Sequence, residues 1–152
     1  MIDLAPLCKE VVGEFIAFRA KRTIRLYSKG DLRGKFDPAR MKQMLSNLIS
    51  NALEHGGQST GVTVNAQGQT EQVVLEVNNQ GPVISESEMA PLLDPFSRFH
   101  KQDQASSKRR LGLGLAIAQE IVHAHSGKLN VRSNTDEGTT FVVQLPRVAV
   151  DN

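Results

Sequence analysis

The 152-residue chain holds a single cysteine, Cys8, so it has no pair for an internal disulfide and too few thiols for a cysteine-rich zinc site. One lone thiol fits a reducing compartment. No apolar run approaches the ~18 residues of a membrane span, and no basic-then-apolar leader opens the chain. A cytoplasmic location without direct membrane contact is the expectation for this stretch. Charge of one sign is not in excess either. The 18 Lys and Arg against 16 Asp and Glu leave a net +2, too even to point to nucleic acid as a partner. What remains is enough for one core, with 39% hydrophobic and 22% charged residues. Because Met1 leads almost at once into a helical pattern, residues 1–152 are expected to be one domain cut from a longer protein.

Leu4, Leu7, Val11, Val12, Phe15, Ile16 and Phe18 fall near helical spacing, with Asp3 placed as a cap, and predict a helix over 4–21. Residues 23–27 alternate as a strand does, and Lys29-Gly30-Asp31 marks a turn. A second helix is predicted from Pro38 to His55, with Asp37 as N-cap, Pro38 in the first position and Gly56-Gly57 as the stop. Strands follow at 61–65 and 72–78, and short helical pieces at 86–93. Residues 100–110 are polar, basic and aperiodic, and predict a mobile loop. Gly112 is expected to open a third helix ending near Ser126-Gly127, before a closing hairpin of 128–133 and 139–145. Three helices and five strands in mixed order imply an α+β fold, a two-layer α/β sandwich.

The second helix carries the most chemistry. Met41, Met44, Leu45, Leu48, Ile49, Ala52 and Leu53 form one apolar stripe, and Asn47, Asn51 and Glu54 fall together on its flank. Asn is only a middling helix former, so two of them one turn apart need a reason. Two readings stand side by side. One is a solvated or hydrogen-bonded helix face; the other is a carboxamide oxygen placed to ligate Mg²⁺, with water and phosphate completing the shell.

Leu111-Gly112-Leu113-Gly114-Leu115 runs into an amphipathic pattern made by Leu115, Ala118, Ile121, Val122 and His125. Glycines at a helix start let the backbone approach a phosphate, although this run matches neither the Walker nor the Rossmann pattern. Lys101, Lys108, Arg109 and Arg110 lie just before it. Each alone reads as a solvated surface charge, while together they supply cations for a phosphate tail. Asn78-Asn79-Gln80-Gly81-Pro82 closes a strand and reads as an Asx turn, or as a carboxamide accepting a hydrogen bond from a base.

Taken together, these segments resemble the ATP-binding domain of sensor histidine kinases, in the wider family shared with DNA gyrase, the mismatch-repair ATPases and the large heat-shock chaperone. "DPARMKQMLSNLISNALEH" resembles the N box, "VNNQGPVI" the first glycine box and "DPFSRF" the phenylalanine box. "LGLGLAIAQEIVHAHSG" resembles the second glycine box with its helix, and "GTTFVVQLP" the closing strand. The resemblance implies the Bergerat ATP-binding fold: a mixed sheet of about five strands, covered on one face by about three helices, with a mobile ATP lid. It implies ATP and Mg²⁺, with Asn51 as the metal ligand. The nucleotide would lie among Asn47, Asn51, His55, Asn79, Gly81, Val83, Leu111, Gly112, Leu113, Gly114, Leu115 and Thr139. Asn47, Lys108, Arg109 and Arg110 would assist transfer.

Five positions depart from the family pattern. Asn79 stands for the Asp that accepts the adenine amino hydrogen, Val83 for a glycine, Arg110 for the first glycine of the second box, Glu54 for a frequent Lys and His55 for a frequent Tyr. Asn47 stands where the hydrolysing relatives carry a Glu that activates water, and a carboxamide is no general base. The resemblance therefore implies a kinase whose acceptor histidine lies on a dimerisation domain of the same protein, with relay to a response regulator. None of His55, His100, His123 and His125 is followed by Glu or Asp, as that acceptor would be, and His100, His123 and His125 read as surface or core-edge imidazoles. Two other readings remain open at this point: a nucleotide-binding regulatory module without catalysis, and a serine kinase of the anti-sigma-factor type.

Overall fold

The structure is a computed structural model that describes residues 1–18, 23–55, 61–80 and 106–148. In chain order its elements are β1 (Ile2–Asp3), α1 (Leu4–Phe18), β2 (Ile24–Lys29), β3 (Arg33–Gly34), α2 (Pro38–His55), β4 (Val62–Gly68), β5 (Gln72–Asn79), α3 (Ser106–Ala124), β6 (Lys128–Asn134) and β7 (Gly138–Pro146).

Local chemistry sets the helix starts. The Asp3 carboxylate accepts the Ala5 N–H at 2.9 Å at the head of α1. The Asp37 carboxylate accepts the Arg40 N–H at 3.1 Å at the head of α2. The expected stripe of α2 is fully used, since Met41, Met44, Leu45, Leu48, Ile49, Ala52 and Leu53 are all buried.

Five strands form one mixed sheet in the order β2-β4-β5-β7-β6. Only β2 and β4 pair in parallel, with α2 as their connection, and the other pairs are antiparallel. Val73, Leu75 and Val77 of β5, with Phe141, Val143 and Leu145 of β7, share the buried face and join the helices in one core. The other face is polar and carries an Arg132–Glu76 ion pair at 3.6 Å. This is the expected two-layer α/β sandwich.

Two features differ from the sequence-based expectations. Ile2 and Asp3 pair antiparallel with Gly34 and Arg33 in a separate two-stranded ribbon, too short to leave a period in the sequence. The third helix opens at Ser106 rather than at Gly112, so residues 106–110 are helix and not loop. This stretch lacks an apolar stripe, and helix propensity leaves no such mark in the hydropathy pattern. Residues 19–21, 86–93 and 100–105, also subjects of expectations above, lie outside the described residues.

At the edge where β7 ends, the Arg147 guanidinium donates to the carbonyls of Asp31, Arg33 and Gln69. The Arg147 N–H adds a bond to the Glu71 carbonyl at 3.0 Å. One side chain thus ties the chain after β7 to the β2–β3 and β4–β5 turns. Nearby, hydrogen bonds from Arg33 pull the Asp31 carboxyl down to about 2.

The C-terminus of α3 is a Schellman turn. The Gly127 N–H bonds the Val122 carbonyl at 2.9 Å and the Ser126 N–H bonds the His123 carbonyl at 3.0 Å. The left-handed position is Ser126, at φ 60°, and not the neighbouring glycine. Gly127 is needed for space, because a Cβ there would lie 2.4 Å from the Gln144 carbonyl oxygen. Ser126→Gly should therefore raise stability by about 0.5–1 kcal/mol. Gly127→Ala should lower it, and urea denaturation of both variants checks the pair.

Cys8 is fully buried in α1, and burial pushes its thiol up to about 11, with the Asp3 carboxylate adding to the shift. Alkylation of the folded chain by iodoacetamide near neutral pH should be far slower than alkylation of the urea-unfolded chain. Mass spectrometry over a time course measures the ratio.

Candidate functional site

Period-2 geometry places Asn79 on the same face of β5 as Val73, Leu75 and Val77, toward the helices. Its neighbours across the sheet are Val62 at the start of β4 and Thr139 at the start of β7. Asn79 and Thr139 are both fully buried. The Thr139 hydroxyl lies 2.8 Å from that of Ser133. The Asn79 side chain is different: neither its Nδ2 nor its Oδ1 has a hydrogen-bond partner among the described residues. A buried carboxamide left this way costs about 1–3 kcal/mol.

The turn from β6 to β7 is shaped around this position. Gly138 has φ 78°, and a Cβ on it would lie 2.2 Å from the Asn79 carbonyl oxygen. On the opposite face of the sheet the Asn78 amide donates to the Glu137 carbonyl at 2.7 Å and to the Thr140 hydroxyl at 2.8 Å. Asn78 thus holds the turn while Asn79 is left unpaired.

The asparagines of α2 come together with α3 as their spacing requires. Asn51 is 3% exposed, and its Nδ2, like that of Asn47, is buried without a partner among the described residues. Gly114 of α3 faces both. A Cβ there would lie 3.3 Å from Asn51 Oδ1 and 3.8 Å from Asn47 Cβ, so the missing side chain keeps the Asn51 oxygen uncrowded. A hard cation favours such an oxygen. Among the described residues no three His, Cys, Asp or Glu side chains gather as a metal cage.

The remaining candidates divide. The Leu115 side chain is in the core, 1% exposed. Gly112 and Gly114 lie about two turns inside α3, so their N–H groups are committed to helical bonds, and the first-turn N–H groups of α3 are those that begin at Ser106. Lys108, Arg109, Arg110, Leu111 and Leu113 lie on α3 and His55 ends α2, with side chains outside the described set. Gly81, Val83 and Lys101 lie outside the described residues altogether. Glu54 is exposed.

Sequence reading passed over Gln119, the fourth residue with a buried carboxamide atom, its Oε1, that has no partner among the described residues. Its signal was available: it lies four residues after Leu115 and three before Val122, a polar residue beside the apolar stripe. A shallow depression of about 420 Å³, lined by Thr63, Asn65, Glu76, Asn78, Arg132 and Thr140 among others, opens on the far face of the sheet, away from these groups.

His125, one turn beyond Ile121, joins the two site helices at their other ends. Its Nε2 accepts the Asp37 N–H at 3.1 Å, and its Nδ1 lies 2.8 Å from the Ile121 carbonyl. A carbonyl only accepts, so Nδ1 carries the proton and the ring is a neutral tautomer.

Residues 36–149 match the family described as histidine kinase-, DNA gyrase B-, and HSP90-like ATPase. The chain is 33% identical over 144 residues to a bacteriophytochrome of Pseudomonas aeruginosa, covering 95% of this chain and 20% of the relative. It is 35% identical over 147 residues to the sensor histidine kinase CusS of Escherichia coli O157:H7, covering 96% and 30% respectively. The chain thus spans less than a third of the length of either relative. Among solved structures, the catalytic domain of histidine kinase ThkA superposes with TM-score 0.80 at 29% identity, covering 96% of this chain and 95% of that one. ThkA in complex with the response regulator TrrA gives TM-score 0.78 at 28% identity, covering 97% and 41%. No helix among the described residues is long and apolar enough to cross a membrane. The chain belongs to the histidine kinase-, DNA gyrase B-, and HSP90-like ATPase family, as a catalytic domain of the sensor histidine kinase kind.

Proposed function

We propose that the chain binds ATP with Mg²⁺ between two groups of residues, Asn47 and Asn51 beside Gly114, and Asn79 beside Thr139. From there it serves transfer of the γ-phosphoryl group to a histidine of the same protein, for relay to a response regulator. The observation that carries this reading is the set of buried carboxamide atoms with no partner among the described residues, at the positions where the family's boxes require polar groups. The whole protein would place this domain in the cytoplasm, beside a dimerisation domain.

When bound, Mg²⁺ would neutralise charge on the phosphates. Asn51 would hold it through Oδ1, the atom that Gly114 leaves uncrowded. Asn79 would orient the base. Asn47 supplies a carboxamide beside the phosphates and no base for water, which favours transfer over hydrolysis. Contact between a phosphate and the N–H groups of Gly112 and Gly114 requires the first turns of α3 to unwind, which the two glycines make less costly. Lys108, Arg109 and Arg110 would then lie in the unwound stretch, with Lys101 before it in the sequence, and such cations offset the charge that grows during transfer.

Calorimetric titration with ADP and a non-hydrolysable ATP analogue should give Mg²⁺-dependent binding. Asn51→Ala should weaken it at least ~10-fold, about 1.4 kcal/mol. Gly114→Ala should weaken it in the same direction without lowering the thermal midpoint, because Ala is the better helix former.

The isolated chain should hydrolyse ATP far below ~1 s⁻¹. Phosphate-release assays on the purified chain test this, and rapid Mg²⁺-dependent hydrolysis would overturn the kinase reading.

A further inference from the structure

Asn79 stands where an acidic side chain would present acceptors only, and its carboxamide offers one acceptor and one donor. Rotating the amide by half a turn exchanges the two, and nothing among the described residues pins either orientation, since Oδ1 and Nδ2 both lack a partner. The adjacent Thr139 hydroxyl is already engaged with Ser133. An edge of adenine carries the N6–H donor beside the N1 acceptor, which fits Oδ1 and Nδ2 in one orientation. A 6-oxopurine carries the reverse pattern, the O6 acceptor beside the N1–H donor, which fits the flipped amide equally well.

Resting on the nucleotide reading above, we propose that Asn79 makes this site tolerant of the base, so that it takes 6-oxopurine nucleotides as well as adenine nucleotides. A carboxylate at the same position would repel O6 and keep the site selective for the 6-amino base. Base selectivity would rest on this one buried side chain, because the phosphate tail is the same in every purine nucleotide.

The test is calorimetric titration of the chain with ADP and with IDP, both with Mg²⁺, on the wild type and on Asn79→Asp. Measurement near pH ~8 keeps the introduced carboxylate ionised. The wild type should bind the two nucleotides within 10-fold of each other, roughly 1.4 kcal/mol. Asn79→Asp should lower the affinity for IDP relative to ADP by at least that factor. A wild type that binds ADP but rejects IDP by a larger factor overturns the proposal and leaves the nucleotide site intact. So does a folded Asn79→Asp variant whose preference is unchanged. Failure of the wild type to bind either nucleotide overturns both the proposal and the reading on which it rests. Should Asn79→Asp not fold, the wild-type ratio alone decides.

Discussion

The apolar stripe of α2 is the constraint on which the rest of the molecule depends. Met44, Leu45, Leu48 and Ile49 are fully buried, each contributing about 1.5–3 kcal/mol relative to exposure. The helix cannot rotate without exposing them. That fixed rotation puts Asn47 and Asn51 on the flank facing α3 and brings Gly114 against them. The same stripe connects β2 to β4 and so sets the one parallel pair in the sheet. Site geometry is therefore a by-product of core packing: the asparagines are placed by leucines.

Against that rigid background, the buried carboxamide atoms stand out as a cost the fold carries. Buried polar atoms of Asn47, Asn51, Asn79 and Gln119, without a partner among the described residues, lie beside a core of hydrocarbon side chains. Each would be less costly as an apolar residue of similar shape. Such groups are retained where an external partner completes them, and here they occur on the two site helices and at the end of the central strand of the sheet they cover. The surrounding structure leaves those atoms unpaired while satisfying neighbours such as Asn78 and Ser133.

What the sequence disclosed followed from the strength of local signals. The bounds of α2 were readable because Asp37, Pro38 and an uninterrupted stripe all agree, and the five strands because alternation survives in each. The β1–β3 ribbon was not readable, because two residues define no period. Nor was the start of α3, where the basic run at 108–110 and the glycines read as loop while the backbone is helical. At the site, Asn47, Asn51 and Thr139 were singled out by spacing and motif. That Asn79 and Gln119 are unpaired was invisible, since it depends on neighbours brought in from distant parts of the chain.

The His125 ring has a mechanical meaning beyond its two hydrogen bonds. It fastens the first turn of α2 to the last turn of α3, and both nitrogens are committed. The two helices run antiparallel, so this fastening lies at the end remote from Asn51 and Gly114. Leu115 and Ala118 seat the other end of α3 in the core, so the gap between Gly114 and the Asn51 carboxamide is gauged from both sides, by an imidazole at one end and by hydrocarbon at the other.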